Sequence, residues 1–442
     1  MNKKQIFCGI LATLLQLAMV QAYSQAISGS PLKKLNRIIT ATEVERIETA
    51  LSSDAMEGRK TFSPGIDKAA AFIAESFKSS GVKAGGNNGG YLQSFEMYVA
   101  SLVSASVTTD GVRIPKENII CQTNAEKLVI THADNYEVVS INASDNFIAS
   151  YRPLRNKTNN LVVFIDTAHK AIFNRLKSFS GPRFPSNTNQ IYVLTSAAKP
   201  SVFSIDLDIK LAEQKLANVV AVIPGKSKPD EIVIFSGHYD HIGYGKPNEK
   251  GDSLYNGAND DASGTTAVIT LAKYFQKVGG NERTLVFAAF TAEEVGGFGS
   301  QYFSKQYDPA KVVAMFNIEM IGTESKWGTN SAYITGYEKT DMGKILEKNL
   351  EGTAFKFHPD PYPDQQLFYR SDNATLARLG VPAHTISTSK MDNEPHYHKA
   401  SDEIGTLDMK NMTEVIKSIA LSSRSIISGK DTPSRVKVDE LR

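Results

Sequence analysis

Five apolar runs, at 219–223, 232–235, 285–290, 312–316 and 381–386, punctuate the second half of the chain, the first four uninterrupted. Helical periodicity marks the stretches between them, the clearest placing Val268, Leu271, Ala272 and Phe275 on one face. Strands without polar alternation are covered on both sides, which predicts a three-layer, doubly wound, mostly parallel α/β sheet. Upstream, residues 41–100 read as mostly helical. Ile66, Ala69, Ala70, Ile73 and Phe77 fall at helical spacing, with Ser63-Pro64 before them and Gly81 at the expected C-cap. From about 105 to 212 the texture changes to short runs at 128–130, 138–139, 161–165 and 191–194, separated by Asn, Asp, Ser and Pro clusters. That pattern predicts a small β-rich insert domain. No residue constellation there carries chemistry, so a structural or substrate-shaping role is expected.

The expected division is 23–104 and 213–428 for the main domain, 105–212 for the insert and 429–442 for a tail. Residues 1–22 carry Lys3 and Lys4, then an apolar run from Ile6 to about Val20, then small residues. This order describes a cleaved secretory signal, with the cut after Ala22 or Ala26. A spanning helix needs about 20 apolar residues, and this run is shorter. Export to a periplasmic or extracellular location, with no stable membrane insertion, is therefore expected. At 41% hydrophobic and 22% charged, the composition excludes disordered and low-complexity classes. A net charge of +2 with no basic run argues against nucleic-acid binding. Of the two cysteines only Cys121 lies beyond the signal, which excludes an intramolecular disulfide and a thiolate zinc cluster. A lone thiol in a β-rich segment reads as buried.

In doubly wound sheets ligands bind beyond the carboxyl ends of the strands. The 232–235 run leads into Ser236-Gly237-His238-Tyr239-Asp240, where residues two apart share a face, so His238 and Asp240 point the same way. A metal-binding histidine with a carboxylate to fix its tautomer has this form. Asn256-Gly257-Ala258-Asn259-Asp260-Asp261-Ala262-Ser263-Gly264 then enters a helix. Its adjacent acids serve either the helix dipole or a bridge between two cations. After 285–290 come Thr291-Ala292-Glu293-Glu294, and after 312–316 come Asn317-Ile318-Glu319, an acid within an apolar stretch that needs a partner. Pro395-His396-Tyr397-His398 supplies the last two histidines of the series, while His132, His169, His241, His358 and His384 read as surface or core residues. Two histidines and three carboxylates suit a pair of zinc ions with a shared carboxylate.

Taken in order, these motifs resemble the co-catalytic di-zinc exopeptidases of the aminopeptidase Y and aminopeptidase S type, related to glutamate carboxypeptidase II. The resemblance covers about 41–100 and 213–425. It implies the zinc exopeptidase fold and two zinc ions per chain. By motif, His238, Asp260, Glu294, Glu319 and His398 match the metal ligands, with Asp260 bridging. Glu293 matches the general base, Asp240 the carboxylate that orients His238, and Tyr397 a tyrosine that helps stabilise an oxyanion. The Asp260–Asp261 peptide is expected to be cis. Two positions depart from the family pattern: Glu319 stands where Asp is frequent, and Asn373, in Arg370-Ser371-Asp372-Asn373, where His is frequent. A longer ligand at 319 and an altered pocket lining at 373 are the expected consequences.

The implied activity is hydrolysis of N-terminal peptide bonds, by a zinc-bridging water that Glu293 deprotonates. A carboxypeptidase of the same family would need an arginine cluster at its pocket, and none is identifiable. A non-catalytic binding module would be expected to have lost ligands, whereas all five positions hold competent residues. Peptides are the expected partners. Side-chain preference has no readable code in 325–370, although Tyr333, Tyr337, Phe368 and Tyr369 are pocket candidates.

Overall fold

The structure, a computed structural model, describes residues 31–131, 134–154, 157–178 and 181–442. The signal segment and His132 lie outside the described residues. The chain divides into two compact units, Phe95–Leu216 and the remainder.

The main strands in the sheet of the larger unit are β1 (Phe203–Ile223, through its C-terminal part), β2 (Lys228–His238), β3 (Arg283–Phe290), β4 (Val312–Ile318), β5 (Ser331–Ile334), β6 (Lys356–Pro359) and β7 (Ala383–Ser387), and the two-residue strand Lys83–Ala84 adds antiparallel to β1. Their spatial order is β6-β5-β7-β4-β2-β3-β1. The central strands β3, β2, β4 and β7 are parallel, and β1 and β5 run antiparallel to their neighbours β3 and β7. Helices cover the sheet: α1 (Ala41–Leu51), α2 (Pro64–Ser79), α3 (Ser263–Val278), α4 (Phe298–Ser304), α5 (Asn373–Ala377) and α6 (Met409–Ser422).

The uninterrupted apolar runs explain this layering. Val233 and Phe235 of β2, Leu285 and Phe287 of β3, and Ala314 and Phe316 of β4 pack into one core with α1, α2, α3 and α6. The residues between them, Ile234, Val286 and Met315, enter a second core with Phe303 of α4 and Leu376 of α5. A strand whose successive side chains reach two different cores has no position left for a polar residue. Phe235 stacks on Phe316 and Phe287 at 4.9 and 5.5 Å between centroids, tying three strands together. At α2, Pro64 occupies the first turn, Ile66, Ala69, Ala70, Ile73 and Phe77 are buried, and Gly81 follows at φ +75°.

The helical reading of 41–100 ends at α2. Residues Leu92–Thr109 form a strand, and its start alternates, with Phe95 and Met97 buried between exposed Ser94 and Glu96. That period of two is strand geometry.

In the smaller unit, a four-stranded sheet runs Ile119–Gln122, Gln190–Thr195, Leu161–Asp166, Glu137–Ile141 in space, the last three parallel. Helices Phe147–Leu154 and Lys170–Ser178 lie between those parallel strands in the chain. Parallel neighbours cannot be joined by a hairpin, so the unit is α/β in its middle rather than β alone. Cys121 is half-buried in this sheet, and burial pushes its thiol up to about 12.

Candidate functional site

The carboxyl ends of β2, β3 and β4 deliver His238, Glu293–Glu294 and Glu319 to one place, and the entry to α3 adds Asp260. His238 Nε2 lies 3.3 Å from Asp260 Oδ1, and both side chains are almost wholly buried. His398 Nε2 approaches Asp260 Oδ2 at 3.1 Å and Glu294 Oε2 at 3.2 Å. The metal-ligating atoms of His238, Asp260 and Glu319 fall within 4.8 Å of one another, as do those of His241, Asp260 and Glu294.

Backbone hydrogen bonds fix this arrangement. Asp261 Oδ2 accepts from His238 N at 3.1 Å, and its Oδ1 accepts from Gly264 N and Met320 N at 3.0 Å. The Asp260–Asp261 peptide is cis. Gly264 is required, because a Cβ there would meet Ile318 O at 2.1 Å and Asp261 Oδ2 at 2.4 Å. Asp402 accepts from Asn259 N at 2.8 Å and Asp260 N at 3.1 Å. Buried Arg59 donates to the carbonyls of Leu51, Tyr239, Asn256 and Gly257 at 2.6–2.8 Å, holding both site loops. Asp240 lies beside His238 and beside the glutamate pair. Its backbone oxygen pairs with His238 Nδ1 at 3.2 Å, while its carboxylate accepts from Glu293 N at 3.0 Å and Glu294 N at 3.3 Å. The carboxylate is 3.8 Å from His238 Nδ1, so it positions the glutamate pair more directly than the histidine.

Charge is poorly compensated among these acids. Burial, reinforced by the Glu319, Asp372 and Glu294 carboxylates and opposed by His238, drives Glu293 well above the usual carboxylate range. Burial pushes Glu319 up to about 7 and Asp372 to about 6. For His398 burial favours the neutral ring, but contact with Asp260 and Glu294 prevails and lifts it to about 10. His238 Nε2, Asp260 Oδ2, Glu294 Oε1 and Glu319 Oε2 are buried without a hydrogen-bond partner. Buried polar atoms are normally satisfied, and a nitrogen–oxygen donor set around a shared carboxylate is one that zinc ions satisfy. The residues therefore fit a pair of zinc ions, with Asp260 common to both positions.

All five sequence-derived ligand positions converge. Glu319 reaches the site despite its extra methylene. Tyr397 stacks on His398 at 3.9 Å between centroids and lines a small cleft beside Glu319. Met320, Tyr333, Leu367, Met391 and Arg370 also line it. Of the proposed pocket aromatics only Tyr333 does so. Tyr337 and Phe368 pack against the two cores, and Tyr369 packs beside Phe368. Asn373 is not pocket lining either: its amide donates to Phe368 O and Ala383 O, and Oδ1 accepts from Thr385. His384 is core and His358 stacks on Trp327, whereas His241, read from spacing as a surface or core residue, is buried inside the site.

Buried carboxylates and imidazoles thus gather at the parallel strand ends around one shared carboxylate, an arrangement suited to holding metal. Residues 218–422 match the model of peptidase family M28, which carries that resemblance across the domain holding the site. A probable leucine aminopeptidase of Trichophyton verrucosum is 30% identical over 209 residues, 45% of this chain and 54% of that protein. Leucine aminopeptidase 1 of Trichoderma harzianum is 30% identical over 215 residues, covering 46% and 52%. The chain thus spans about half the length of the curated relatives it matches. Among solved structures, an aminopeptidase from Aneurinibacillus sp. strain AM-1 aligns over 92% of this chain and 98% of its own, with a TM-score of 0.53 and 16% identity. A zinc aminopeptidase from Bacillus subtilis aligns over 90% and 98%, at 0.51 and 15%. Both share the fold.

Proposed function

We propose that this chain is an exported zinc aminopeptidase that holds two zinc ions and releases N-terminal residues from peptides. One observation carries the reading: unpartnered donors from His238, Asp260, Glu294 and Glu319 meet around one shared carboxylate, with the non-ligand Glu293 beside them. When bound, paired zinc ions polarise the scissile carbonyl and ease deprotonation of water. Glu293 accepts the proton of the attacking water and returns it to the leaving amine. Tyr397, at the cleft, donates a hydrogen bond from its hydroxyl to the developing oxyanion and keeps its proton. Glu319 faces the cleft and reads the free α-ammonium, while Met320, Leu367 and Met391 receive an apolar side chain. Relatives named leucine aminopeptidases support this choice. A carboxypeptidase for acidic residues is disfavoured, because Arg370 is the one cation lining that cleft. Export rests on the order of charges and apolar residues in 1–22; among the described residues no helix is long and apolar enough to cross a membrane.

Glu293→Gln tests the mechanism. Its kcat on aminoacyl substrates is expected to fall about 10²–10⁴-fold with zinc content unchanged. Near-normal turnover by this variant refutes the role of Glu293. Equal cleavage of free and N-blocked peptides refutes the aminopeptidase reading.

A further inference from the structure

His241 is the one imidazole of the site for which neither the motif order nor the proposed chemistry has a use. Its side chain is fully buried, and neither Nδ1 nor Nε2 has a hydrogen-bond partner. A buried core histidine in the same unit behaves otherwise: His384 pairs through Nδ1 with Thr335 O and through Nε2 with Thr340 Oγ1, both at 2.8 Å. His241 Nδ1 lies 2.9 Å from Glu294 Oε1 and 3.9 Å from Asp260 Oδ2, without the angles of a hydrogen bond. These are the two carboxylates that His398 Nε2 also approaches, at 3.1 and 3.2 Å. The two rings meet edge-on, 5.8 Å between centroids. Donors about 2.0–2.1 Å from a tetrahedral zinc are separated by about 3.3 Å, and these four pairs, in which Glu294 turns a different oxygen to each imidazole, span 2.9–3.9 Å around that value.

The backbone is built to put the ring there. His241 N donates to Arg59 O at 3.2 Å. Gly257, at φ +59°, leaves the ring its space, since a Cβ at that position would come within 2.5 Å of the imidazole carbons.

We infer that His241 is a fourth protein ligand of the metal position formed by Asp260, Glu294 and His398, and that this position holds zinc more tightly than its neighbour. The inference rests on the two-zinc reading above. The neighbouring position has three protein donors, His238, Asp260 and Glu319. Four protein donors close a zinc site, whereas three leave it open to exchange. The two positions are thus unequal, one retentive and one labile.

The test uses the full chain stripped of metal. It is titrated with zinc against a chromophoric chelator of known affinity, and with cobalt(II) followed by visible absorption. The unsubstituted protein is expected to take two equivalents, the first at least about tenfold tighter and giving the intense bands of tetrahedral cobalt. In His241→Ala and His241→Gln the tight step weakens at least about tenfold and those bands fade, while the weaker step stays in place. Circular dichroism confirms folding, and the Gln variant decides should the Ala variant fail to fold. Unchanged steps and bands in a folded variant overturn the role of His241 alone. Absence of zinc binding by the unsubstituted protein overturns both this inference and the two-zinc reading.

Discussion

Each unit contains parallel strands that end in polar residues, and the two sets of strand ends are finished differently. In the smaller unit, Asp166 closes its strand by accepting from Ala168 N at 2.8 Å, and Thr195 accepts from Ala197 N at 3.2 Å while touching Thr109. After Ile141, Asn142 N donates to Asp145 at 2.6 Å. Every one of these groups has a local partner and turns the chain. At the ends of β2, β3 and β4, by contrast, His238, Glu294 and Glu319 keep buried atoms without partners. Parallel topology supplies the same kind of edge twice. What separates a turn from a site is whether the polar groups are already satisfied.

The strongest way to break this contrast is to remove the carboxylate common to both metal positions. Asp260→Ala is expected to lower kcat/KM on aminoacyl substrates by about 10³-fold or more and to abolish stoichiometric zinc, checked by elemental analysis. Glu48 sharpens the contrast, because its Oε1 is also buried without a partner although it lies on α1 and belongs to neither donor cluster. Burial raises its pKa from 4.5 to about 8, so the native carboxyl stays neutral, with Oε2 accepting from Thr266 at 2.8 Å. A raised carboxyl pKa contributes stability fully below about 4.5, and that contribution is lost as pH climbs through about 8. Glu48→Gln is therefore expected to gain roughly 3–5 kcal/mol relative to the parent between pH 4.5 and 8, checked by denaturant unfolding at both pH values. In the smaller unit, Asp166→Ala should cost about 1 kcal/mol, the loss of a capping acceptor, with peptidase turnover unaltered. The smallest effect is expected at Cys121. Cys121→Ser should leave turnover unchanged, and the raised thiol pKa should slow iodoacetamide alkylation of the folded chain roughly 10²–10³-fold relative to the unfolded one.

Legibility in the sequence follows the same division. His238, Glu293, Glu294 and Glu319 stand directly after apolar runs, and a polar residue at the end of a doubly covered strand announces itself. His241 escaped because the chain leaves extended geometry after His238, so the two-residue period no longer says which way a side chain points. Only its tight spacing behind His238 and Asp240 could have marked it. Arg59 and Asp402 escaped for another reason: they act by bonding backbone groups from distant segments, and such contacts leave no periodic trace. The helices of the smaller unit were obscured by short strands and frequent turn residues. The strand at Leu92–Thr109 was hidden by the strong helical signal that precedes it.

Arg59 has a consequence beyond holding two loops. It is a fully buried cation, and its neighbours Asp240, Asp260, Glu48 and Asp402 outnumber it. Burial holds Asp240, Glu48 and Asp402 up, toward their neutral forms; it acts on Asp260 in the same sense, but contact with His238 and His398 prevails and holds Asp260 well below the usual carboxylate range. Metal ligands must be deprotonated carboxylates and neutral imidazoles, so any cation held here would compete with hydrogen ions, and acidification would favour the empty cavity.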